Sequence, residues 1–157
     1  MKRNHFSSKL IGCINAGNLC GAKEAALYED ITPSTQFTLE AMAPHVPYVC
    51  EVIRVILQRG GFTGSTAKLT QYVEQYEAEV VLSRNWNKIL VLINDAPLQM
   101  SALMAMVAYL KTDIDNKKVA EVFRCYQEKY DFNKVMWPEE HKELFQNLVA
   151  EIAIKLS

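Results

Sequence analysis

The sequence predicts an all-α fold built from antiparallel helical hairpins, on three observations. Apolar residues recur at the 3.6-residue period of an amphipathic helix along most of the chain. Convincing two-residue alternation is missing, and the apolar runs at 80–82 and 89–93 sit beside helical patterns. The strong turn signals are spaced by 31, 34 and 36 residues, and they fall at Asp30, Gly61, Asp95 and Asp131.

These turn signals divide the chain into segments of about 30 to 36 residues, and a weaker turn signal lies near the middle of each. The chain is therefore predicted to form four helical hairpins and a last helix. Ser65 and Asn85 are predicted N-caps, and Pro138 with two acids behind it is predicted to open the last helix. The predicted helices, in order, span residues 7–16, 19–29, 35–43, 47–59, 66–82, 85–95, 98–111, 116–130 and 138–156.

The last helix is predicted to cap the final hairpin with one apolar face. The residues expected to point inward are Leu144, Phe145, Leu148, Val149, Ile152 and Leu156.

In the second helices of the hairpins, apolar residues recur with a spacing of 33 residues. One series is Leu57, Leu90 and Phe123, and the neighbouring series is Ile56, Ile89 and Val122. Two-helix units with a period near 33 are typical of helical solenoids, in which each hairpin covers the apolar face of the one before it. We therefore expect a short superhelix, with an irregular helical bundle as the alternative.

Composition limits the classes of protein to which the chain can belong. Its 157 residues suit a single domain, residues 1–157, with enough length to bury a core. The formal net charge of −1 gives no general attraction to nucleic acid or to an anionic membrane. Since no apolar run approaches the roughly 20 residues that span a bilayer, no membrane insertion is expected.

Cysteine usage and the N-terminal segment bear on the compartment. None of the four cysteines, Cys13, Cys20, Cys50 and Cys125, forms a C-x-x-C pair, which favours reduced thiols in an intracellular, reducing compartment. Residues 1–18 contain basic residues and serines but no acid, as a mitochondrial targeting segment does. The mitochondrial matrix is one expectation; the other is the cytoplasm, with this segment as an ordinary first helix.

Residues 85–130 resemble a pentatricopeptide-type repeat, and tetratricopeptide repeats are similar. The resemblance depends on apolar positions of two successive helix pairs: Trp86, Ile89, Leu90, Leu103, Met104, Val107, Ala108, Tyr109, Ala120, Val122 and Phe123. It departs from the pattern where the usual turn glycine is missing near Asp113 and where Pro44 and Pro47 interrupt the second block. The resemblance implies either single-stranded RNA binding or protein binding.

Charge favours protein binding over RNA binding. Lys and Arg number 17 against 18 acids, and the two signs alternate through residues 117–129 rather than forming a basic track. The leading prediction is a non-catalytic adapter or accessory subunit of a larger assembly, such as a mitochondrial ribosome or ATP synthase. The alternatives are a short RNA-binding repeat protein and a small bacterial or viral helical partner protein, such as an immunity protein or chaperone.

No pattern points to an enzyme, and neither catalytic residues, metal ligands nor a cofactor are predicted. The three histidines lack metal-ligand spacing, and phosphate-binding and nucleophile-elbow motifs are missing from the sequence. The residues predicted to contact a protein partner are Tyr72, Tyr76, Arg84, Trp86, Met100, Met104 and Arg124.

Overall fold

The computed structural model describes residues 8–157 of the chain, and in this range all regular structure is helical. This confirms the predicted all-α class. Two short 3₁₀ turns, Phe132–Lys134 and Glu139–His141, lie before the last helix. The α-helices are α1 (Lys9–Asn15), α2 (Leu19–Ala26), α3 (Pro33–Met42), α4 (Val49–Gln58), α5 (Ala67–Leu82), α6 (Trp86–Asp95), α7 (Met100–Thr112), α8 (Lys117–Tyr130) and α9 (Lys142–Leu156).

Polar side chains fix where most of these helices begin. An oxygen of the N-cap side chain accepts a free backbone N–H of the first turn, which otherwise has no partner. Asn85 caps α6 as predicted, by accepting from the amide of Lys88. The other side chains that cap a helix in this way are Ser8, Asn18, Thr32 and Asn116.

The last helix begins later than predicted. Pro138 precedes a 3₁₀ turn rather than the first α-helical turn, and α9 starts at Lys142. Neither Pro138 nor His141 provides a capping side-chain hydrogen bond, so no cap fixes the start at the proline.

One residue of the predicted inner face of α9 points outward. Leu144 is 59% exposed, whereas Phe145 and Ile152 are buried. Phe145 and Ile152 are seven residues apart and share a face, while Leu144 lies about 100° away from Phe145 around the helix. The prediction for Leu144 was therefore wrong.

The chain divides into two compact units, of which unit 1 ends at Tyr76 and unit 2 begins at Glu77. In unit 1, α1 packs on α2, while α2 and α3 both pack on α4. Every residue of α4 from Val49 to Ile56 is buried, so this helix is the centre of the unit 1 core. Leu10 and Ile14 of α1 also belong to that core.

In unit 2, α6 packs on α8, and α7 packs on α9. Ile89, Met106, Leu110 and Val122 are fully buried at the centre of its core. Aromatic rings of α8 and of the 3₁₀ turn that follows it stack on one another at the edge of this core.

These contacts are consistent with helical hairpins. The pairs α1–α2 and α3–α4 are hairpin partners, and α2–α4 and α6–α8 join second helices of neighbouring hairpins. The 33-residue repeat and the single domain remain predictions. So does the targeting role of residues 1–18, of which residues 1–7 lie outside the described range. Among the described residues, none of the helices has the length and apolarity to cross a bilayer.

Candidate functional site

An open groove with a volume of about 760 Å³ runs along α8 in unit 2. Its wall on the α6 side includes Asn94, and the rest of the lining comes from α8. Three basic side chains, two acidic ones and a thiol make up the α8 contribution, so both signs of charge face the groove. The α8 residues are Lys117, Glu121, Arg124, Cys125, Glu128 and Lys129.

The helical period explains why α8 presents these charges together. Its apolar residues Val119, Val122, Phe123 and Tyr126 are buried on one side of the helix. Residues spaced by four, seven and eleven positions from Lys117 therefore fall on the opposite, exposed side. Asn116 caps the helix through its side-chain oxygen, which accepts the amide of Lys118, and so fixes where this pattern starts.

Two of the groove charges are held by neighbours in unit 2. The Lys118 Nζ lies 3.1 Å from the Glu121 Oε1. The Arg124 Nη2 donates to the backbone carbonyl of Leu156, at 3.1 Å, where the last carbonyls of α9 lack helical partners. A cation at a helix C-terminus also interacts favourably with the helix dipole. These contacts orient the charges without burying them, since Glu121 and Arg124 remain exposed.

Cys125 lies half-buried in the groove, and its Sγ donates to the Asn94 Oδ1 at 3.6 Å. Burial raises the pKa of the Cys125 thiol; Lys129 opposes this effect, while Glu128 and Glu121 add to it. Because the thiolate is the reactive form, a raised pKa makes Cys125 a weak nucleophile at neutral pH. The thiol contributes a hydrogen bond to the wall of the groove.

We expect Cys125 to react more slowly with iodoacetamide at pH 7.5 than Cys20, whose side chain is exposed. The raised pKa and partial burial both reduce the population of accessible thiolate. Timed alkylation followed by peptide mass spectrometry measures both sites in one sample. The Cys125 rate should rise as the pH is raised toward the pKa of its thiol. Equal rates at pH 7.5 would contradict the environment described for Cys125.

Tyr72 and Tyr76, two of the predicted contact residues, are half-buried on α5 and pack against the core of unit 1. The Tyr76 hydroxyl donates a hydrogen bond to the Glu51 Oε2. Glu51 is fully buried, and its Oε1 lies 2.8 Å from the Lys23 Nζ. Burial, and then the bond to Glu51, raise the pKa of Tyr76 well above its usual value. Its hydroxyl is therefore part of a buried polar cluster.

The predicted contact residues of unit 2 differ in accessibility. The Arg84 guanidinium lies 4.1 Å from the centre of the Tyr109 ring, and its Nη1 lies 3.7 Å from the Asp113 Oδ1. Trp86 is only 5% exposed and packs in the core, so its side chain does not form an outer surface. Met100 and Met104 are half-buried against the same core, whereas Arg124 lines the groove.

Sequence reasoning missed the buried charges and most of the groove. Glu51 and Arg54 lie within the apolar run of α4, and that unusual position was the available signal. Glu77 is also buried, and it accepts the backbone N–H of Gln99, at 2.8 Å, just before α7 begins. Since Glu77 belongs to a charged stretch typical of an exposed helix face, the sequence carries no sign of its burial.

The chain matches no protein-family model, no curated protein and no solved structure. The repeat-protein resemblance therefore remains a prediction. Within residues 8–157, no three Cys, His, Asp or Glu side chains come together as a set able to hold a metal ion.

Proposed function

We propose that the protein is a non-catalytic protein–protein interaction module, an adapter or accessory subunit of a larger assembly, which binds its partner along α8. The observation that carries the proposal is the open groove, whose α8 wall alternates basic and acidic side chains. Mitochondrial assemblies of the ribosome or ATP synthase type, in a reducing compartment, are the class of partner that the sequence favours.

The lining of the groove suits a protein segment better than a small molecule. Small-molecule sites are mostly apolar and enclosed, with a few polar groups that fix orientation. In this groove, five of the seven lining residues are charged and the cleft is open. Alternating charges select partners by complementarity and favour rapid encounter, which is how polar protein interfaces gain specificity.

The same charges argue against single-stranded RNA as the ligand. An RNA track combines a basic surface with aromatic rings that are free to stack on bases. Glu121 and Glu128 stand among the basic residues of the groove. Of the tyrosines that could stack on bases, Tyr126 is buried and Tyr109 lies under the Arg84 guanidinium. RNA binding is therefore the alternative that the test must separate.

Affinity capture with charge-reversed protein tests the proposal. The lysine-row variant, Glu121→Lys with Glu128→Lys, removes both acids of the groove. The α5 control variant, Glu74→Lys with Glu79→Lys, makes the same total charge change at two exposed positions of α5. Tagged wild-type protein from its native cells should retain a defined set of protein subunits after ribonuclease treatment. We expect the lysine-row variant to capture at least about tenfold less of these subunits than the wild type, and the control variant to capture as much as the wild type.

Two outcomes would contradict the proposal. Equal capture by the wild type and the lysine-row variant would show that the groove is not the binding surface. Loss of all captured subunits on ribonuclease treatment, together with increased RNA recovery by the more basic lysine-row variant, would favour the RNA-binding alternative.

A further inference from the structure

On the exposed face of α8, charges at equal distances from the middle of the helix have opposite signs. Lys117, Glu121, Arg124 and Glu128, here called the charge row, are all exposed. At 3.6 residues per turn these positions fall within about 60° of one another around the helix, so they form one stripe. Lys117 lies as far before the midpoint between residues 122 and 123 as Glu128 lies after it, and Glu121 and Arg124 are related in the same way.

We propose that the charge row pairs with the charge row of a second copy of this chain, antiparallel about a two-fold axis. In that arrangement Lys117 faces the partner's Glu128, and Glu121 faces the partner's Arg124. Two-fold symmetry then repeats both contacts, so that every charge in the row meets its opposite. The inference goes beyond the proposed function, because it names a second copy of this chain as an occupant of the same surface.

Register and direction both follow from the charge pattern. A parallel pairing of two copies in register would place each charge against its own sign. An antiparallel shift of seven residues keeps either the Arg124–Glu128 contacts or the Lys117–Glu121 contacts, depending on its direction. In both cases the other two charges of the row fall beyond the end of the partner's α8. Facing like charges are destabilising, so the unshifted antiparallel register is the one that satisfies the whole row.

The contacts already made by the row leave it able to pair. Lys118 contacts one oxygen of the Glu121 carboxylate, and a carboxylate can accept bonds at two oxygens. Arg124 uses its Nη2 for the Leu156 carbonyl, and a guanidinium has five N–H donors. Both side chains can therefore keep their present partners and also contact a charge of opposite sign.

The size of α8 implies a reversible association. Its 14 residues give a helix about 21 Å long, which provides less contact area than a standard permanent interface. Ion pairs at an exposed surface are also screened by salt. We therefore expect an equilibrium between monomer and dimer that shifts toward monomer as the ionic strength rises.

Sedimentation velocity of the purified full-length chain tests the pairing. We expect the wild-type sedimentation coefficient to rise between about 10 μM and about 1 mM protein in low salt. The rise should disappear at about 0.5 M salt, where the Debye length is only a few ångströms. The α5 control variant should associate like the wild type.

Complementary variants give the sharper experiment. The lysine-row variant makes the row wholly basic, and the glutamate-row variant, Lys117→Glu with Arg124→Glu, makes it wholly acidic. Each alone is expected to associate at least about tenfold more weakly than the wild type, because like charges face each other. An equimolar mixture should associate again, as a one-to-one pair. Far-UV circular dichroism of each variant confirms that it is folded before mixing.

The pairing and the proposed function fail in different ways. A wild type that stays monomeric in low salt, or folded variants that associate like the wild type or do not pair on mixing, would overturn the pairing. Capture of subunits from native cells would still decide the proposed function. Conversely, a salt-sensitive dimer with unchanged capture by the lysine-row variant would support the pairing and overturn the proposed function.

Discussion

The Glu51→Leu variant is expected to lose about 3 kcal/mol of unfolding free energy in unit 1. Glu51 is fully buried, with the Lys23 Nζ at 2.8 Å and the Tyr76 hydroxyl donating to its other oxygen. Leucine fills the space but supplies neither the negative charge nor the acceptor. Removing one member of such an ion pair costs more than the pair contributes, because the remaining groups, Lys23 and Tyr76, are already partly desolvated.

One further variant separates the charge of Glu51 from its size, and another serves as a surface control. Glu51→Gln keeps the size of the side chain and an acceptor for Tyr76 but removes the charge, so an intermediate loss is expected. Glu74→Ala, at an exposed position of α5, should change the unfolding free energy by less than about 0.5 kcal/mol. Both tryptophans lie in unit 2, so denaturation must be followed by far-UV circular dichroism. A Glu51→Leu variant as stable as Glu74→Ala would contradict a stabilising role for the cluster.

The same cluster gives a pH dependence with a definite sign. The pKa of Tyr76 is raised in the folded chain relative to 10.0, so the folded state holds that proton more tightly than the unfolded state. Its contribution to stability is complete below pH 10 and is lost as the pH rises through the folded pKa. In Glu51→Leu this alkaline loss should be smaller, because burial still raises the Tyr76 pKa but the Glu51 carboxylate no longer adds to the effect.

The sequence predicts the helices well because the signals for them are local. Asn85 and Asn116 cap their helices with side chains only two or three residues from the amides they bind. Gly60 adopts a positive φ of 67° just after α4, in the loop where the sequence places a helix end. The series Ile56, Ile89 and Val122 is fully buried, so the helical period also identifies core positions.

The groove could not be predicted in the same way, because the contacts that form it are distant in sequence. Cys125 meets Asn94 across 31 residues, and Arg124 meets Leu156 across 32. The alternation of charge along α8 is visible in the sequence, but which side of α8 stays uncovered depends on how α6 packs against it. Trp86 illustrates the same limit: the sequence does not show that this aromatic residue, predicted to contact a partner, packs in the core of unit 2.

Phe132→Ala is expected to lower the unfolding free energy of unit 2 by about 3–5 kcal/mol. The predicted helices end at residue 130 and resume at residue 138, which leaves 131–137 as a loop, yet Phe132 is only 3% exposed. Its ring stacks on Phe123 at 5.1 Å and on Tyr126 at 5.0 Å between ring centres. Truncation removes these contacts and leaves a cavity that the surrounding rings cannot fill.

Local backbone geometry explains why the backbone should not shift to fill the cavity that Phe132→Ala leaves. Asp131 ends α8 with a positive φ of 59°, and its carboxylate accepts from the Gln127 side chain and from the Asn133 amide. These bonds, in that order of importance, lower the pKa of Asp131. The turn is therefore fixed by polar contacts independent of the Phe132 ring, and its backbone should hold its position when the ring is removed.

Tryptophan fluorescence during denaturation measures this effect directly, since Trp86 and Trp137 are both buried in unit 2. Phe37→Ala is the matched control: Phe37 lies in unit 1 and is 72% exposed, so its loss should change the unfolding free energy by less than about 0.5 kcal/mol. Phe132→Leu, which retains much of the volume, should cost less than the alanine variant. If both Phe132 variants match Phe37→Ala, then the segment after α8 is an independent surface loop, and the stacked rings do not contribute to the core.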